Sequence, residues 1–205
     1  MNIGKALGRV GIVLSVAVTV AIGQTPASVK IGNQTWTKQN LNVKTQDSWC
    51  YEDKESNCAE YGRLYTWEAA KKACQSMGGK WRLPTNDDWD NLLRAVGGVR
   101  KVDEDGDVVF KIVGKKLKSK TGWNTYEGKS GNGTDEFGFS ALPGGYRYYG
   151  GGSFNYVGID GFWWSATEYG SGDAYYRDMY YNYDGVFEGS DLKSSGYSVR
   201  CVAQD

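Results

Sequence analysis

The stretch Trp81-Arg82-Leu83-Pro84-Thr85-Asn86-Asp87-Asp88-Trp89-Asp90 contains the start signal of a helix. Asp88 stands three residues after Thr85, a short version of the capping box in which a hydroxyl and an acid each bind the other's backbone N–H. Trp89, Leu92, Leu93 and Val96 then recur at helical spacing, and Gly97-Gly98 stops the run. The segment before it repeats the pattern. Trp67, Ala70, Cys74 and Met77 recur at i, i+3, i+7 and i+10, with Lys71 and Lys72 off that face and Gly78-Gly79 behind them. Two early helices are therefore expected, one running roughly from Trp67 to Met77 and one from Thr85 to Gly97. Their apolar faces carry Trp67 and Trp89 and call for burial. Cys74 lies on the buried face of the first, where a distant strand could meet it.

Outward from these helices the period changes. On the N-terminal side, Val29-Lys30-Ile31 and Gln34-Thr35-Trp36 flank Gly32-Asn33, a two-residue hairpin signal. Cys50 and Cys58 enclose Tyr51 to Asn57, which reads as a polar loop with nothing to bury that a local disulfide would hold. On the C-terminal side, Asp103 to Asp107 resembles a calcium loop, but Gly106 falls fourth where an EF-hand needs glycine sixth, and Gly114 replaces the glutamate at twelve. A solvated hairpin turn is the expectation. Lys115, Lys116, Lys118 and Lys120 around Leu117 read as a wet surface. From Ser140 onward lie 11 of the 15 tyrosines, with dense glycines from Gly144 to Gly152 and the adjacent pair Trp163-Trp164. Neighbours in an extended run face opposite ways, so at least one of these tryptophans belongs to the core. Strand-like runs from Ala174 to Tyr181, from Val186 to Glu188 and from Tyr197 to Val202 close the chain, the last containing Cys201. No linker, heptad or long repeat interrupts it, so one domain is expected.

The chain has 205 residues, enough for a real core. Residues 1–23 read as a signal peptide: Lys5 and Arg9, an apolar stretch from Val10 to Ile22, and small residues at Ala21 and Gly23 ahead of a cut. That stretch falls short of the roughly 20 residues that span a bilayer, so no membrane segment is expected after cleavage. The mature domain is then 24–205, secreted, cell-surface or periplasmic. Lys+Arg and Asp+Glu both number 24, and losing Lys5 and Arg9 leaves a slightly acidic chain with no basic field for nucleic acid. Histidine is absent, which removes Ser-His-Asp and Cys-His nucleophiles and His-ligated zinc. Four cysteines in an exported chain fit two disulfides, with three pairings open.

The segment Arg82-Leu83-Pro84-Thr85 with Asp88-Trp89 resembles the RLPT-x-x-EW segment of formylglycine-generating enzymes, whose fold is a variant of the C-type lectin fold. A fuller match lies in Ile31 to Trp36 with Asn40-Leu41, Tyr61 to Trp67, Gly138 to Arg147, Trp163 to Glu168 and Gly196 to Val202. These blocks, in this order, resemble the Fibrobacter succinogenes major paralogous domain, a family of exported bacterial proteins. The resemblance implies an α+β, C-type-lectin-like or formylglycine-generating-enzyme-like single domain, with two early helices and a loop-rich, short-stranded C-terminal half. It also implies a disulfide from the first helix to the last strand, Cys74 with Cys201, which leaves Cys50 with Cys58.

Three functional classes follow. Formylglycine-generating enzymes use a pair of cleft cysteines near the C-terminal end of the fold, and only Cys201 lies in that half, so no enzyme activity is expected. Calcium-dependent lectins of this fold use Glu-Pro-Asn or Gln-Pro-Asp and Trp-Asn-Asp motifs, which this chain lacks. No cofactor is expected, and Asn132, Asp135 and Asp160 are the candidates for a structural calcium against simple solvation. Aromatic recognition of a polysaccharide or a surface protein stays open, with Tyr148, Tyr149, Tyr175 and Tyr181 as surface candidates and Trp163 and Trp164 as further ones. A structural envelope or surface protein without a defined small ligand is the alternative, followed by a divergent enzyme of the formylglycine-generating-enzyme fold.

Overall fold

The computed structural model describes residues 27–204 apart from residue 105, so the expected leader lies outside the described residues. Strands β1 (Ser28–Ile31) and β2 (Gln34–Thr37) form the hairpin about Gly32-Asn33, with Ile31 opposite Gln34. Short strands β3 (Ser48–Trp49) and β4 (Leu64–Tyr65) pair around a 3-10 turn (Tyr51–Asp53) and helix α1 (Glu55–Tyr61). The two expected helices are α2 (Trp67–Ser76) and α3 (Asn86–Ala95). Hairpin β5 (Val99–Val102) and β6 (Val108–Lys111) turns through the acidic segment, and α4 (Gly114–Leu117) is a single turn. A small hairpin of β7 (Thr125–Tyr126) and β8 (Lys129–Ser130) precedes β9 (Gly144–Arg147) and β10 (Phe154–Val157). The long strands β11 (Asp160–Tyr169), β12 (Asp173–Tyr180) and β13 (Val186–Leu192) follow, and β14 (Val202–Gln204) comes last.

The architecture is mixed α and β. Seven strands form one sheet in the order β10-β9-β11-β12-β13-β6-β5, antiparallel except where β9 runs parallel to β11. A second sheet, β1-β2-β14, joins the two ends of the described chain through β2. Strand β11 divides the core. Trp163 sits in one apolar cluster with Trp36, Trp89, Phe139 and Met179, and Trp164 sits in another with Trp67, Cys74, Tyr197 and Cys201. Helix α3 therefore packs on one side and α2 on the other. The capping box of α3 is present, with Thr85 accepting from the Asp88 N–H and Asp88 accepting from the Thr85 N–H. Asp88 also takes the guanidinium of Arg82 in a two-point pair and the side-chain amide of Gln34 at 2.8 Å. Burial alone would raise its pKa, but the Arg82 guanidinium and the Thr85 N–H and hydroxyl outweigh burial and hold the carboxylate ionised below its usual range.

Several expectations are corrected. The segment between Cys50 and Cys58 is a 3-10 turn and the start of α1, and Tyr51 in it is buried with its ring 5.3 Å from Phe154. It therefore does bury something. Cys201 immediately precedes β14, and the stretch before it makes only isolated bridges, such as Tyr197 to Tyr65. Trp163 and Trp164 are both fully buried, because helices and loops cover the sheet on both faces, so neither offers a binding surface. Both disulfides are formed, Cys50–Cys58 and Cys74–Cys201. Among the described residues, no helix is long and apolar enough to cross a membrane.

Candidate functional site

The hairpin β7–β8, the turn α4 and the segment 181–184 linking β12 to β13 surround a cleft of about 590 Å³. Tyr126, Tyr181 and Tyr183 supply its aromatic walls, and Asn132, Asn182 and Asp184 supply polar groups, with Lys115 and Lys129 as its cations. The rings of Tyr126 and Tyr181 meet edge to face at 5.6 Å. Tyr126 is 43% exposed and Tyr183 38%, whereas Tyr181 leans half-buried on the core. The local sequence explains why the hairpin comes so close. A Cβ on Gly131 would stand 2.5 Å from the Asn124 carbonyl oxygen and 2.8 Å from that of Tyr181, so only glycine lets the two backbones touch. The base of the hairpin is fixed by the Trp123 N–H donating to Asn132 Oδ1 at 3.0 Å and by Trp123 Nε1 donating to the Ala141 carbonyl at 3.0 Å.

Beneath the cleft lies a buried charge that the lysine run conceals. Lys118, expected on a wet surface, is 1% exposed. Its ammonium donates to the carbonyls of Tyr180 and Tyr183 and stands 4.8 Å over the Trp123 ring. The lysine therefore holds the 180–183 turn that forms the back of the cleft. Burial lowers its pKa to about 8 against the pull of Asp184 and Asp160. Two acids nearby, Asp160 and Asp178, are also buried. Desolvation pushes each up to about 7, opposed by Lys118 for Asp160 and by the Tyr180 phenol for Asp178.

The sign of the resulting pH dependence follows from linkage. A carboxyl whose folded pKa is raised binds its proton more tightly in the folded state, so its contribution is fully present below the unfolded pKa near 4 and is lost as pH climbs towards 7. Asp178→Asn removes this loss while keeping an acceptor for the Tyr180 phenol. Its melting temperature should exceed that of the unaltered protein by a few degrees at pH 8 and nearly match it at pH 4. Parallel thermal melts at the two values check this, and an equal shift at both would refute the buried-acid reading.

The sequence candidates fall in different places. Tyr181 and Asn132 line the cleft. Tyr148 and Tyr149 are exposed, rings 4.5 Å apart, on the loop between β9 and β10 and outside the cleft. Tyr175 is half-buried with its ring 5.2 Å from Tyr169. Of the calcium candidates, Asn132 spends its oxygen on Trp123, Asp135 accepts the Ser140 N–H and hydroxyl, and Asp160 is buried by Lys118. The three are held by separate local contacts. Among the described residues the one group of three potential metal-ligating acids and cysteines is Cys50, Glu55 and Cys58, and both sulfurs there are bonded to each other. Sequence reasoning missed Tyr126, Tyr183, Asn182 and Lys129. The turn signal Tyr126-Glu127-Gly128-Lys129 and the Tyr183-Asp184-Gly185 turn were the available pointers.

A model of the family described as the Fibrobacter succinogenes major domain (Fib_succ_major) matches residues 29–203. The chain belongs to that family. No curated protein and no solved structure matches it. Within this major domain the sequence blocks that carry the resemblance go into the core. Arg82 and Asp88 brace α3. Asn40 Oδ1 accepts from both Trp163 Nε1 at 2.9 Å and Arg200 Nε at 2.8 Å, and Asn40 Nδ2 donates to the Tyr61 carbonyl and to Ser198 Oγ. The cleft residues, from Lys115 to Asn132 and from Tyr181 to Asp184, lie outside those blocks.

Proposed function

We propose that the chain is an exported, non-enzymatic recognition or adhesion module of C-type-lectin-like fold, acting at or outside the bacterial cell surface and binding polysaccharide in the tyrosine-lined cleft. The observation that carries this reading is the cleft itself, where exposed phenol rings lie beside two carboxamides, a carboxylate and two ammonium groups. Rings with a flat apolar face and a polar edge suit stacking on sugars, and amides suit hydroxyl groups. The tie from α2 to the residue just before β14 supports the fold, and the two disulfides support an oxidising compartment. Asp184 is the one acid lining the cleft among the described residues, which argues against a glycosidase with its two flanking carboxylates. Cys201 is spent in a disulfide, which argues against the chemistry of formylglycine-generating enzymes.

A panel of immobilised polysaccharides tests this. Tyr126→Ala and Tyr183→Ala should each weaken binding about tenfold or more while moving the melting temperature by no more than a few degrees, since both side chains are substantially exposed. A Tyr148→Ala, Tyr149→Ala double variant should bind normally, and EDTA should change nothing. Loss of binding in the double variant alone would move the site to the β9–β10 loop. Absence of binding to the whole panel would favour the structural envelope protein.

A further inference from the structure

Across the antiparallel pair β11–β12, Asp160 faces Tyr180, Phe162 faces Asp178 and Trp164 faces Tyr176, so these six side chains share one side of the sheet. Strand β13 adds Phe187 opposite Asp178 and Gly189 opposite Tyr176. At this end of the face opens a pocket of about 240 Å³, distinct from the cleft, walled by the rings of Tyr176, Tyr180 and Phe187. Asp178 lines it, and Asp107 reaches it from the β5–β6 turn. Gly189 shapes the pocket: a Cβ there would stand 2.5 Å from the phenol end of Tyr176, so the ring crosses β13 only where a side chain is missing.

The ionisable side chains lining this pocket are acids and tyrosines. Glu188, the third acid, is bound at 2.5 Å by Arg177, whose other partner is Asp90 at 3.1 Å. That cation is therefore already committed, and its pairs lie on the opposite face of the sheet from Asp178. The charges around Asp178 are Asp160 from β11, Asp107 from the hairpin turn and Arg177 of its own strand, and its hydrogen-bond donor is the Tyr180 phenol. Asp178 is 2% exposed and Asp160 4%, and Asp160 Oδ1 has no hydrogen-bond partner. Lys118, the cation that acts on Asp160, has its ammonium on two backbone carbonyls. Among the described residues no cation pairs with either carboxylate. Aromatic walls over a buried carboxylate are the chemistry that holds an organic cation. A hard divalent ion needs six or more oxygen ligands, which a ring-walled pocket does not supply.

We propose that this pocket binds a primary alkylammonium group, as carried by a lysine side chain or a free alkylamine. The ammonium lies against Asp178, and the alkyl stem lies along Tyr176 and Phe187.

Titration calorimetry on the full chain tests the assignment with three probes: n-butylammonium, Nα-acetyl-lysine N-methylamide, and the neutral isostere Nα-acetyl-norleucine N-methylamide. Calcium chloride serves as a fourth. Both amines should bind and the isostere should not, with affinity rising from pH 6 to pH 8 as Asp178 ionises. If n-butylammonium alone binds, the pocket takes the group from a free amine rather than from a peptide. Asp178→Asn should weaken amine binding about tenfold or more, and Asp107→Asn two- to threefold or so, as fits a buried and an exposed charge. Asp107 stands in an exposed turn, so its variant keeps the test open if the buried one folds poorly. Equal binding of the isostere, unchanged affinity in both variants, displacement of the amine by equimolar calcium, or no amine binding would each overturn the proposal. Such a failure leaves the polysaccharide reading intact, because Asp107 and Asp178 do not line the cleft.

Discussion

Cys201→Ser is expected to destabilise the protein by about 4–5 kcal/mol, enough to unfold much of it at 37 °C. The Cys74–Cys201 bond closes a loop with a sequence separation of 127, and both residues are fully buried beside Trp164 and Tyr197. In the chain-entropy account, opening a loop of that length releases far more freedom to the unfolded chain than opening a short one. Cys50–Cys58 has a separation of only 8, so Cys50→Ser should cost about 2–3 kcal/mol on the same basis. Urea unfolding of the two variants, followed by tryptophan fluorescence, checks the order. A Cys50→Ser variant as damaged as Cys201→Ser would show that loop length is not what makes the long tie matter.

Arg200→Met is expected to cost about 4 kcal/mol or more, although it exchanges a buried charge for an apolar side chain of similar length. Arg200 is fully buried and has no carboxylate partner within ion-pair distance among the described residues. Its donors instead hold backbone: Nη1 reaches the carbonyls of Thr37 and Phe139 at 2.7 Å each, and Nη2 that of Ser140 at 2.7 Å. Burial lowers its pKa to about 9, with Asp135 the opposing influence, so the guanidinium still carries its proton at neutral pH. Methionine would strand the buried carbonyls of Thr37 and Phe139, each costing about 1–3 kcal/mol, and would leave the half-buried one of Ser140 without its donor. Arg200→Lys should recover only part of this, because one ammonium cannot reach acceptors spread around a planar fork. Chemical denaturation measures both variants, and a loss below 1 kcal/mol for Arg200→Met would mean that the carbonyls find water or other donors.

Much of the scaffold was legible because its signals are local. Thr85 and Asp88 announce a cap within four residues, Gly32-Asn33 announces a hairpin, and the spacing of Trp67, Ala70 and Cys74 announces a buried face. The misreadings have a common physical origin. Lys118 looks like its solvated neighbours Lys115 and Lys120 until Tyr180 and Tyr183, about sixty residues away, bring it two carbonyls. Tyr51 sits among charges, and its burial depends on distant chain, with Phe154 of β10 packed against its ring. Trp163 and Trp164 both disappear because β11 is a central strand covered on both sides, which alternation in one strand does not reveal. The cleft was the least legible part. It is assembled from β7–β8 and from the turn after β12, two segments whose meeting depends on Gly131 fitting under a distant backbone.

The position of the long disulfide also decides how the domain carries force. Residue 202 of β14 is bonded to β2 on one side and to Arg82 on the other, and Cys201 immediately precedes that strand. A pull between residues 27 and 204 would peel β14 away and then meet a covalent bond to α2. Load would pass from Cys201 straight to Cys74, and residues 75 to 200 would contribute no length to the stretched chain. The seven-stranded sheet and the tyrosine-lined cleft both lie inside that bypassed loop. Tension applied between the two ends of the domain would therefore extend only the N-terminal quarter, and a ligand held in the cleft would stay bound to a scaffold under no strain.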